Sequence, residues 1–194
     1  AAYKNNTDMH FYMPSLLVRR RGGRFGGPAP DDDPVKASLE KIETLQEFFR
    51  EAKAYQAQKN KTATNLKFEA TKGLFDKSEK LFVHCNIVKE MLVAADFVKE
   101  FGFDVTIVGG SESWQIAPLL KQHNISVILQ QTHNLPTGED DDVDQPYKTP
   151  AALQKAGVLF ALTDEDGTTT GRNLAFSAGT GGTYGSTKEE ALED

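Results

Sequence analysis

Leu81-Phe82-Val83-His84-Cys85-Asn86 is a short apolar run that ends in a histidine just before a helical pattern begins. A second run, Val158-Leu159-Phe160-Ala161-Leu162-Thr163-Asp164, ends the same way in a carboxylate. Imidazole and carboxylate both bind divalent metals. Two strands that each finish in such a side chain, with strands and helices alternating between them, predict a barrel whose chemistry sits at the strand ends.

Outward from these two runs the pattern is regular. A helix follows from about Ile87 to Phe101, with Val88, Met91, Leu92, Ala95 and Val98 on one face and Gly102 as its C-terminal cap. Strand Val105 to Val108, the turn Gly109-Gly110 and a helix from about Glu112 to His123 come next. Strand Ser126 to Leu129 leads into an acidic loop, Glu139 to Asp144, which is expected to be solvated. Thr149 and Pro150 read as the cap and first turn of a helix through Ala156, and Gly157 precedes strand Val158 to Leu162. A glycine-rich segment then leads to a last helix from about Arg172.

Short apolar strands separated by helices indicate a parallel sheet covered by helices. Four such units match half of an eight-fold barrel or an open doubly wound sheet, and periodicity alone does not choose between them. Either architecture brings His84, Gly109-Gly110, the region of His133 and Asp164 to one rim.

Before these units, Pro34 opens a helix that Asp33 can cap, with Leu39, Ile42, Leu45, Phe48, Phe49, Ala52 and Tyr55 at helical spacing. Leu66, Phe68, Ala70, Leu74 and Phe75 predict a shorter second helix. Residues 1–33 carry punctuation rather than periodicity and are expected to be a long loop or a truncated preceding unit.

Composition sets outer bounds. A hydrophobic content of 39% and a charged content of 26% over 194 residues are those of a globular chain with one sizeable core. The net charge of -6 argues against general nucleic-acid binding, which needs clustered Lys and Arg. The single Arg-Gly-Gly element between Arg19 and Gly27 is one copy in an acidic chain and reads better as a loop covering a substrate. No apolar run reaches the ~18 residues of a membrane span. The lone Cys85 allows no internal disulfide, so cysteine pairing does not indicate the compartment. The chain starts at Ala1 and stops in what reads as a helix start, so both ends look cut. Its compartment is left open between cytoplasm and, given a lost signal peptide, periplasm.

The residues themselves resemble a known family. Val83-His84-Cys85, Phe101 to Gly110, Ala156-Gly157-Val158 leading to Thr163-Asp164, and Ala178 to Gly185 followed by Glu189-Glu190-Ala191-Leu192 are similar to the second half of the amidohydrolase superfamily, in its imidazolonepropionase-like branch. The resemblance covers roughly residues 34–194. It implies an α/β fold, a partial (β/α)8 TIM-like barrel comprising about its fifth to eighth strands with their helices. The first strands and their His-x-His metal motif would lie outside this chain.

For chemistry, the resemblance implies a metal-dependent hydrolase of a non-peptide or cyclic C–N amide bond. His84 matches the fifth-strand metal ligand. Asp164 matches the eighth-strand aspartate, which touches the metal and handles the proton of the attacking water. Zinc suits these ligand types, as do iron and manganese. His133 and Arg172 are the candidate contacts to a small-molecule substrate. Where many members carry a sixth-strand histidine, this chain has Gly109-Gly110. The alternative is a catalytically degenerate barrel with a ligand-binding or structural role.

Each candidate has a plainer reading. His84 could be a hydrogen-bonded strand-end histidine, Asp164 part of an Asp-Glu-Asp-Gly turn, His133 a loop residue, and Arg172 half of a surface ion pair. Trp114 is a rim aromatic better suited to packing than to stacking on substrate. Cys85 alternates away from His84 and is expected in the core, while His123 is expected at a helix C-terminus. Half a barrel leaves two sheet edges and an interior face uncovered, so this segment is expected to self-associate or to pair with the missing N-terminal half.

Overall fold

The computed structural model describes residues 8–17, 34–58, 63–130, 135–136, 138, 140–163, 175–176 and 179–180. Five parallel strands form one sheet in chain order: β1 (Asp8–Tyr12), β2 (Lys80–Cys85), β3 (Val105–Gly109), β4 (Ser126–Gln130) and β5 (Phe160–Thr163). The helices are α1 (Pro34–Gln56), α2 (Leu66–Glu69), α3 (Lys72–Phe75), α4 (Val88–Phe101), α5 (Ala117–Gln122) and α6 (Gln145–Lys155), with a 3-10 turn over Ser113–Ile116. No helix among the described residues is long and apolar enough to cross a membrane.

The expected strand-helix alternation is present, and its covered face is the core. Leu81, Val83 and Cys85 of β2, Val105 and Ile107 of β3, Val127 and Leu129 of β4 and Phe160 of β5 alternate onto one face. There they meet Met91, Ala94, Ala95, Phe97 and Phe101 of α4, Phe49 of α1, Leu120 of α5 and Leu153 of α6. Phe49 sits at the centre of an aromatic group, edge-on to Phe97 and Phe103 at 5.9 and 5.1 Å. Edge-to-face pairs of this kind add to the area they bury.

Residues 8–12, within the stretch read as a loop or a truncated preceding unit, are a strand whose register aligns Asp8 with Lys80 and Tyr12 with His84. Only Met9 and Phe11 of β1 point towards the core, too few to announce an edge strand. Helix α6 begins at Gln145 rather than at Thr149, because Pro146 occupies its first turn and Pro150 lies inside. Thr149 bonds its hydroxyl to the Gln145 carbonyl at 3.1 Å instead of capping. The helix expected over Glu112 to His123 is a 3-10 turn followed by α5, and the one expected over Leu66 to Phe75 is split into α2 and α3. Strand β5 starts two residues later than read and runs on to Thr163. Gly102 ends α4 in the left-handed conformation, φ 75°, as expected.

Candidate functional site

Every strand is parallel, so the carboxyl ends Tyr12, Cys85, Gly109, Gln130 and Thr163 form one rim. The residues that alternate away from the helices make the sheet's second face: His10 and Tyr12, Phe82 and His84, Thr106 and Val108, Ser126, Ile128 and Gln130, then Ala161 and Thr163. No described helix covers this face. Tyr12 is 72% exposed there.

His84 occupies this open face one residue before the end of β2, with its backbone carbonyl accepting from the Met13 amide at 3.1 Å. Its ring is held on two sides. Tyr12 stacks on it with centroids 4.1 Å apart and planes 15° from parallel. His10 brings Nδ1 to 3.0 Å from His84 Nε2, a hydrogen bond in which either ring can be the donor. His10 is itself stacked on Phe82 at 5.0 Å. Partial burial, and secondarily the charge of His10, hold the His84 imidazole below its ordinary pKa of 6.5. A neutral ring with a free lone pair is the form that binds metal.

Behind the rim a polar network fixes the β2–α4 turn. The N-cap position of α4 is Ile87, which has no side-chain acceptor, and Glu112 supplies one by accepting from the Val88 amide at 2.8 Å. Glu90, buried in the first turn of α4, accepts from the amides of Leu16 at 3.1 Å and Asn86 at 3.3 Å. One carboxylate thereby ties the chain leaving β1 to the chain leaving β2, on either side of the His10–His84 pair. Cys85 lies in the core as expected, and burial, with Glu90 nearby, pushes its thiol up to about 12. His123 is the residue that ends α5, and Trp114 lies half-buried in the 3-10 turn.

Gly109-Gly110 has a backbone explanation. Both residues have positive φ, 107° and 66°. A Cβ on Gly109 would lie 2.5 Å from Asn86 Oδ1 and 2.8 Å from the Cys85 carbonyl oxygen. The turn is tied down by Gly110 donating to that carbonyl at 2.8 Å and Ser111 donating to Asn86 Oδ1 at 3.1 Å. A side chain, and so a histidine, has no room at Gly109, where β3 leaves the sheet.

Asp164, His133 and Arg172 lie outside the described residues. Asp164 directly follows Thr163, the last residue of β5, which pairs with Gln130. Among the described residues no three His, Cys, Asp or Glu side chains converge as a metal site. His84 has one such neighbour, His10, which the sequence analysis missed. The one local signal is the Asp8, His10, Tyr12 against Met9, Phe11 alternation, too short to announce the strand by itself. A cavity of about 130 Å³ lies at the opposite, amino end of the strands, lined by Lys80, Asp104, Thr106, Lys121, Asn124 and Ser126 among others. It lies at the end of the barrel opposite the rim that carries His84.

No family model matches the chain, and no curated protein matches it in sequence. Among solved structures it is similar to an amidohydrolase from Thermotoga maritima MSB8, with a TM-score of 0.69 and 20% identity. The alignment covers 98% of this chain and 50% of that one, so the chain spans half the length of the amidohydrolase. The fold is therefore a partial TIM-like barrel, as expected from the sequence.

Proposed function

We propose that the chain is the carboxyl-terminal half of a metal-dependent hydrolase of the amidohydrolase superfamily, acting on a non-peptide or cyclic C–N amide bond of a small molecule. One conjunction supports this reading: a sheet similar to half an amidohydrolase carries His84 at its carboxyl end, on the face that no described helix covers. Assignment to the imidazolonepropionase-like branch rests on the sequence motifs alone.

His84 would bind the metal through Nε2, and Asp164, at the first position after β5, would bind it through its carboxylate. Imidazole and carboxylate are a donor set that suits zinc, and iron or manganese nearly as well. When bound, the metal would supply an activated water of lowered pKa. The Asp164 carboxylate would accept the proton of that water and return it to the leaving nitrogen. His133 and Arg172 would orient the substrate, the guanidinium by pairing with a carboxylate on it. The complementary half of the barrel would bring the remaining donors and cover the open face.

Elemental analysis of protein from the full natural reading frame, with hydrolysis assays on cyclic amides and small N-acyl compounds, tests the proposal. Wild type should hold about one or two metal equivalents. His84→Ala and Asp164→Asn should lose both metal and hydrolysis. A wild type that holds no metal and cleaves none of these compounds would sink the proposal.

A further inference from the structure

We infer that His10 and His84 together form a two-imidazole chelate for a late first-row divalent ion such as zinc, which makes His10 a metal ligand contributed by β1. The inference deepens the proposed reading, since it takes His84 as a ligand and adds the residue beside it.

Distance is the first argument. His10 Nδ1 and His84 Nε2 stand 3.0 Å apart. Zinc binds imidazole nitrogen at roughly 2.0–2.1 Å in tetrahedral geometry, which holds two ligand nitrogens on one ion roughly 3.3 Å apart. The pair therefore needs to open by only about 0.3 Å to share an ion. Support is the second argument. Tyr12 and Phe82 stack on the two rings from outside, at 4.1 and 5.0 Å, and restrict how either ring turns. Neighbouring parallel strands, with Tyr12 in register with His84, fix the two Cα positions. A chelate ordered before the ion arrives loses less entropy on binding.

Proton placement is the third argument, and it separates the chelate from an ordinary histidine pair. With no metal, one of the two facing nitrogens carries the proton of the hydrogen bond. With an ion between them, Nδ1 of His10 and Nε2 of His84 must both present lone pairs. The ring protons then sit on Nε2 of His10 and Nδ1 of His84. Between neutral rings this is a change of tautomer and releases no proton.

The experiment is zinc titration of this 194-residue chain by calorimetry, with nitrogen-15 spectra of the histidine rings recorded without and with zinc. Wild type should bind zinc with both facing nitrogens deprotonated in the zinc-bound form. His10→Ala and His84→Ala should each weaken binding roughly tenfold or more, while His123→Ala should leave it unchanged. His10→Gln, which retains a polar side chain at the exposed site, should fail like His10→Ala, and thermal melts would confirm that each variant is folded. If His84→Ala weakens binding and His10→Ala does not, the chelate is wrong and the metal role of His84 stands. If zinc binds with neither substitution mattering, or does not bind, the chelate is overturned. The proposed function is then judged separately by the metal content of the full-length protein.

Discussion

The two faces of the sheet are built from the same five strands and have opposite characters. On the covered face Val83 and Ile107 are fully buried, Leu81, Val127 and Leu129 nearly so, and an aromatic group seals them. On the other face, one residue along in each strand, stand two histidines, a tyrosine, three Ser or Thr residues and a glutamine, interspersed with Phe82, Val108, Ile128 and Ala161. Alternation in a strand separates the two sets completely. The difference teaches where stability resides: the helix-covered face carries the fold, and the face that no described helix covers carries His10 and His84.

The comparison would break if the two faces responded alike to truncation. Phe97 is fully buried and touches Phe11, Phe49 and Phe101. Phe97→Ala should lower the unfolding free energy by about 3–5 kcal/mol in urea denaturation. His84→Ala, on the open face, should change it by less than about 1 kcal/mol. Equal losses would mean that the open face is part of the core.

Gly109 tests the rim between the faces. Gly109→Ala forces a side chain into positive φ and against Asn86 and the Cys85 carbonyl, at an expected cost of about 2–3 kcal/mol. Thermal melting would read it. A neutral substitution would remove the backbone explanation for the glycine at this position.

Glu90 sharpens the comparison further, because it is a buried charge that serves the open face from behind. Glu90→Gln leaves one acceptor oxygen for two amides, and should cost about 1–3 kcal/mol. Cys85 is a probe of the same corner. With its thiol near 12, it should resist alkylation at pH 8 in the native protein and react on unfolding. Ready alkylation of folded wild type would contradict the packing around Glu90 and Cys85.

What the sequence made legible follows from the same division. Strands β2 to β4 are short apolar runs, α4 has a helical apolar face and Gly102 to end it, and so the repeating unit can be read locally. Strand β1 could not be read that way. Asp8–Tyr12 contributes Met9 and Phe11 to the core and is held by pairing with Lys80 to His84, far along the chain. His84 was legible as a strand-end histidine; His10 was hidden with its strand. The start of α6 was misread because Pro146 and Pro150 both suit a first turn, and the first of them holds it.

The smallest expected effect belongs to the His10–His84 pair without metal. The His84 pKa lies below 6.5 in the folded chain, through burial first and the charge of His10 second, so the unfolded chain binds the proton more readily. Stability is therefore full above the unfolded pKa and falls as the pH drops through it, flattening once the folded ring is protonated as well. Melting temperatures of metal-free wild type should decline more steeply between neutral and mildly acidic pH than those of His84→Asn, which cannot titrate there. The ring is only half-buried, and solvent screening keeps the difference small. Identical pH profiles would mean that neither burial nor the charge of His10 holds the His84 imidazole down in the folded chain, and the open face would then lose what distinguishes it from a row of unrelated side chains.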